Sequence, residues 1–249
     1  MHYRELSSFF DKSIKQRGNI VGFKAFKEVP DELLSYEESS FLALCQVIKA
    51  VNIYGFKKLL PKGKKQACWF GELVLGFSAK YETLCPVGAA LLGEERMKKL
   101  RDDLIRVPIG SYNAIFFAPL QFYDSISMEP DGVIFTVNSA QAMTLIWALY
   151  LATLEKPNFS FNGNATCEIV AALLQGKSPW LTLPCPGAKA LAACQDDEVW
   201  VGMSYSHAKL AADSMSREGI HYPMPLEQSV FVPPLTTHPL TALITETEG

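Results

Sequence analysis

Cys45, Cys68, Cys85, Cys167, Cys185 and Cys194 are the side chains in this 249-residue chain best suited to nucleophilic, redox or metal chemistry. None are spaced as C-x-x-C, which argues against a zinc ribbon or a thioredoxin-type motif. Cys185 has the most informative setting, the turn Pro184-Cys-Pro-Gly187. Pro186 drives Cys185 toward extended backbone, and Pro184 stiffens the approach. Gly187 admits backbone angles closed to other residues, and Ala188–Cys194 reads as a helix. A thiol just before a helix start faces free N–H groups and the positive end of the dipole, and Lys189 adds a cation nearby. All three favour thiolate over thiol. Such a thiolate is a candidate nucleophile, ligand or redox group; the alternative is a structural turn with an inert cysteine.

Cys167 follows a Gly/Asn loop near another helix start, and Cys68 opens an apolar segment containing Gly71. Cys68, Cys167 and Cys185 are remote in sequence, so only the fold can bring them together. Dispersed thiolates suit an iron–sulfur cluster or a soft metal. Zinc is less apt, because His2, His207, His221 and His238 show no ligand spacing. Cys45 falls on the apolar face of a helix and reads as a core thiol.

These groups must be positioned by an interleaved set of strands and helices. The central unit is Asp131-Gly-Val-Ile-Phe-Thr-Val137, whose run of apolar and β-branched residues predicts a strand covered on both faces. Asn138 and Ser139 then cap a helix over Ala140–Leu154, apolar on nearly every side and expected to be buried all round. Gln141 is a polar group on that helix, needing either backbone partners or a ligand at the strand's end. Further strands are expected over Ile20–Phe26, Asn113–Leu120, Asn158–Phe161, Trp180–Leu183 and Glu198–Ser204. Helices are expected over 2–18, Ser39–Val51, Glu94–Arg106, Cys167–Leu174 and His207–Met215. The pattern predicts one α/β or α+β domain over residues 1–249, a mixed sheet of at least four strands flanked by helices. Gly55–Gln66 reads as a loop or linker, and a Pro-rich tail begins near Tyr222.

A formal net charge of −3 and the lack of a basic stripe with interleaved aromatics argue against nucleic acid. No apolar run reaches the roughly 20 residues needed to span a bilayer, and the first residues lack a secretory h-region. A cytoplasmic location with reduced thiols is expected. There is no Gly-x-Gly-x-x-Gly, Walker loop or Gly-x-Ser-x-Gly elbow. Asp131, after Pro130 at a strand start, suits a turn role better than catalysis.

The pieces Cys45-Gln46, Cys68 with Gly71 and Gly76-Phe77, Ala118-Pro-Leu120, Pro130-Asp-Gly-Val-Ile-Phe135, Gln141-Ala-Met143, Gly163 with Ala165 and Cys167, Pro184-Cys-x-Gly187 and Asp197-Glu198 occur in a characteristic order. In these the chain resembles the family called domain of unknown function 169, from about Cys45 to Pro225. The resemblance implies a soluble prokaryotic protein, often from anaerobic settings, of unestablished role and with no agreed catalytic residues. After the Pro-Cys-x-Gly turn the family usually has an acidic residue and an arginine; here Ala188 and Lys189 stand there. Lysine keeps the charge without the planar fork.

Two readings follow. In one, Cys68, Cys167 and Cys185 line a site near the end of the Val133–Val137 strand that binds a metal, an iron–sulfur cluster or a small anionic ligand. Cys185 would be its reactive or ligating thiolate, with Gln141, Gly187 and Lys189 as binding residues. In the other, the chain is a non-enzymatic cofactor-binding or accessory protein with structural cysteines. The sequence names no reaction, and self-association is compatible with the long apolar helix.

Overall fold

The computed structural model describes residues 1–38, 40–78, 93–160 and 165–224. The segment around Cys85 and the tail beyond 224 lie outside the described residues. The strands are β1 (Val21–Phe26), β2 (Lys58–Pro61), β3 (Ala114–Pro119), β4 (Gly132–Val137), β5 (Asn158–Ser160), β6 (Trp180–Thr182) and β7 (Val199–Met203). They form one mixed sheet in the order β2-β3-β1-β4-β7-β6-β5. β5 and β6 are parallel, and every other pairing is antiparallel. The fold is α/β.

Alternation along the central strands divides the core. Ile134 and Trp200 face one side, while Val133, Phe135, Val137, Val201 and Met203 face the other. The first side is covered by α3 (Leu44–Tyr54), α4 (Trp69–Val74), α8 (Glu168–Leu174) and α9 (Pro186–Ala192). The second is covered by α1 (Tyr3–Ser13), α7 (Ser139–Thr153) and α10 (Tyr205–Glu218), with a satellite core under α2 (Asp31–Leu34) and α6 (Tyr123–Ile126). The charged helix α5 (Glu94–Asp102) turns Met97 inward. With cover on both faces, every residue of β3, β4 and β7 is buried.

Three expectations are corrected. The segment 55–66 contains β2, an edge strand paired with β3, hidden in the sequence by its lysines and Pro61. The first helix stops at Ser13, because Lys15 takes a left-handed backbone conformation at φ 55°. Helix α7 is not buried all round: Met143 is 52% exposed and Leu154 after its end 73%. A helix that packs on one sheet face and beside α10 has an outer side that nothing described here covers.

α8 sits unusually close to the sheet. A methyl group at Gly202 would lie 2.7 Å from Ile169 and 2.8 Å from Leu173, and one at Gly132 would lie 3.0 Å from Leu173. These two glycines set the depth of α8 and of Cys167 before it. Gly202→Ala should lower unfolding free energy by about 1–3 kcal/mol through overpacking, read from the denaturant midpoint.

Candidate functional site

Four cysteines stand at four helix starts on the same side of the sheet. Cys45 is the second residue of α3, Cys68 precedes α4, Cys167 precedes α8, and Cys185 precedes α9. All four belong to or pack against one core cluster. Since β4 and β6 are each antiparallel to β7, they run the same way. The turn from β6 to Cys185 therefore leaves the sheet at the carboxyl end of β4. Thr166, wholly buried, fastens that turn: its hydroxyl accepts the Cys185 N–H at 2.6 Å and reaches the Leu183 carbonyl at 3.4 Å. One hydroxyl thus joins the loop before Cys167 to the backbone of Cys185. The Cys185 sulfur in turn accepts the Ala188 N–H at 3.4 Å, with Pro186 in the first helical turn where its missing donor costs nothing.

The thiols sense one another. Burial pushes Cys45 up to about 12, and Cys185 and Cys68 act in the same direction. Burial also holds Cys167 well above the ordinary thiol range, followed by Cys68, Cys185 and Cys45, with Glu168 adding. Cys45 and Cys167 therefore lie within electrostatic reach of the other thiols on this side of the sheet. Cys45 and Cys167 are each 7% exposed, whereas Cys68 and Cys185 are half-buried. The expected residues Cys68, Cys167 and Cys185 lie on this side of the sheet, in or against the core cluster that also contains Cys45. Yet among the described residues no group of three or more His, Cys, Asp or Glu side chains is arranged to hold a metal ion.

Beside the thiols lies a buried ion pair that the sequence did not reveal. Lys49 Nζ stands 2.9 Å from Glu198 Oε1, with side-chain exposures of 7% and 2%. Trp200 Nε1 donates to Glu198 Oε2 at 3.5 Å. Lys49 is one helical turn beyond Cys45 and so shares its face. Cys194 completes the cluster. Its pKa is pushed up to about 12 by burial first and then by Glu198, opposed by Lys49.

Other residues singled out above stand apart. Gln141 belongs to the opposite face: Oε1 accepts the Asn138 N–H at 2.8 Å, and Nε2 donates to the Ile14 and Lys15 carbonyls at 3.0 and 2.7 Å. Its amide is fully spent on capping α7 and tying it to α1, which corrects its expected place beside a ligand. The Lys189 ammonium goes to Asp196 at 2.6 Å on the surface rather than supporting Cys185. Gly187 leaves ordinary room beside the Cys185 sulfur, 3.7 Å from where a methyl would sit. Asp131 accepts the Ala25 N–H at 2.8 Å and pairs with Lys24 at 3.3 Å, a structural role joining β1 to β4. A separate cleft of about 410 Å³ borders Lys24, Asp131, Tyr112 and Ser204 and contains no cysteine.

An α/β sheet closed on both faces, with a four-thiol group under one of them, is the class of protein these features define. The chain belongs to the family domain of unknown function 169, described as uncharacterised ArCR, whose model matches residues 10–213. It is also similar to an uncharacterised protein of Methanocaldococcus jannaschii, 26% identical over 186 residues, which cover 72% of this chain and 77% of that protein. No solved structure matches. Among the described residues no helix is long and apolar enough to cross a membrane.

Two measurements follow. Cys45 and Cys194 have folded pKa values near 12 against an ordinary 9.0. Their proton is held more tightly in the folded state, so the stability they contribute is intact below pH 9 and is lost as pH rises toward 12. The denaturant midpoint should fall across that window, and a C45A/C194A variant should flatten the fall. Lys49→Met should cost about 3–5 kcal/mol by stranding a buried carboxylate, while K49M/E198L should recover most of it.

Proposed function

We propose that this chain carries an iron–sulfur cluster held by Cys45, Cys68, Cys167 and Cys185, in a cytoplasm where thiols stay reduced. The observation that supports this reading is that four thiols from four separate helix starts belong to or pack against one core cluster. As bare thiols Cys45 and Cys167 resist ionisation, through burial first and then through neighbouring thiols. A cationic centre among them would reverse that balance and deprotonate its ligands. Once bound, such a cluster supplies one-electron redox chemistry. Cys45 and Cys167 shield it from water, and Cys68 and Cys185 line the approach. A second reading, an accessory protein whose cysteines only pack, is supported by the raised pKa of Cys45 and Cys167, which keeps both thiols neutral and inert.

Anaerobic incubation of the full chain with ferrous iron and sulfide, followed by desalting, separates the two. The expected result is a coloured protein retaining iron and sulfide, with retention lost in C167S and C185S and kept in C194S. A colourless chain with no retained iron would leave the packing reading.

A further inference from the structure

The cleft of about 410 Å³ beside Asp131 opens at the end of the sheet opposite the Cys185 turn. β1 and β7 are both antiparallel to β4, so they run out where β4 begins. Lys24 near the end of β1, Asp131 just before β4 and Ser204 just after β7 meet there. Leu173 and Leu174, at the end of α8, give the cleft an apolar lining. Small-molecule sites combine these features: a concave space of this size, an apolar wall and a few convergent polar groups.

The polar groups select by charge. Lys24 and Asp131 pair at 3.3 Å, which leaves little net charge between them. A cationic ligand would meet Lys24, and an anionic one would meet Glu129, whose carboxylate has no hydrogen-bond or ion-pair partner among the described residues. A neutral ligand meets neither penalty. Donors and acceptors are also interleaved. Lys24 uses two of its three N–H groups, on Asp131 and on the Glu129 carbonyl at 2.8 Å. The Ser204 and Ser206 hydroxyls lie 3.0 Å apart, and Ser204 accepts the His207 N–H. Burial first and then Asp131 raise the pKa of Tyr112, so its phenol stays protonated and can donate. Hydroxyl groups answer both kinds of partner, since each can donate and accept.

We propose that this cleft binds a small neutral polyhydroxylated molecule, a sugar or cyclic polyol, with Glu129 and Asp131 accepting from its hydroxyls and Lys24 and Tyr112 donating to them. The site contains none of the cysteines, so it stands or falls separately from the cluster reading.

NMR titration of the isotopically labelled full chain with glucose, galactose, mannose and myo-inositol tests this. At least one of these is expected to shift the backbone amide signals of Tyr112, Ser204 and Ser206 to saturation. Glu129→Ala removes an exposed side chain and should weaken that binding about tenfold, the loss of one hydrogen bond to a charged group, with the melting temperature unchanged. Ser206→Trp, also at an exposed position, should fill the cleft and abolish binding. No saturating shift with any of these probes would overturn the proposal, as would binding that E129A and S206W leave intact. Spermidine or inorganic phosphate saturating the same signals more tightly than the sugars would overturn it too, in favour of a charged ligand.

Discussion

A lysine and a glutamate that meet inside an apolar core must satisfy each other, because neither can reach water. The Lys49–Glu198 pair does this with 2.9 Å between nitrogen and oxygen, and much on the thiol side of the sheet is arranged around it. The pair links the middle of α3 to the residue before β7. Trp200 and Cys194 take up the remaining capacity of the carboxylate, so the polar group is closed off among hydrophobic neighbours. An apolar pair of similar volume would often be as stable. The ion pair joins the turn of α3 that follows Cys45 to the start of β7.

The other thiols are placed by equally local devices. Gly132 and Gly202 let α8 lie flush on β4 and β7, which brings Cys167 down onto the sheet. The buried Thr166 hydroxyl then holds the Cys185 turn to the loop before Cys167. None of these contacts is extensive. Each acts at the start of a helix, where a small shift would swing a cysteine away from its neighbours.

Much of this architecture was legible in the sequence, and the exceptions have physical causes. β3, β4 and β7 read clearly because a strand covered on both faces must be apolar at every position. β2 was hidden because a short edge strand tolerates lysine and proline. Cys68, Cys167 and Cys185 stood out through the Gly and Pro residues around them. Cys45 did not, since a cysteine on an apolar helix face looks like any small core residue. Gln141 misled because a buried glutamine suggests a ligand, when Asn138 three residues earlier supplied half of a capping box. Lys189 misled because its partner Asp196 lies beyond the end of α9. Glu198 stood out only as part of the Asp197-Glu198 piece, and Lys49 gave no signal, because a charge in an amphipathic helix is ordinarily solvated; only the folded chain shows the two enclosed together.

The four thiols are not equivalent in their access to solvent. Cys45 and Cys167 are buried in the core, whereas Cys68 and Cys185 are only partly buried. Any oxidant or thiol-seeking reagent meets the outer sulfurs first. Damage and repair would both begin at that rim, and the sheltered sulfurs would outlast repeated cycles of exposure.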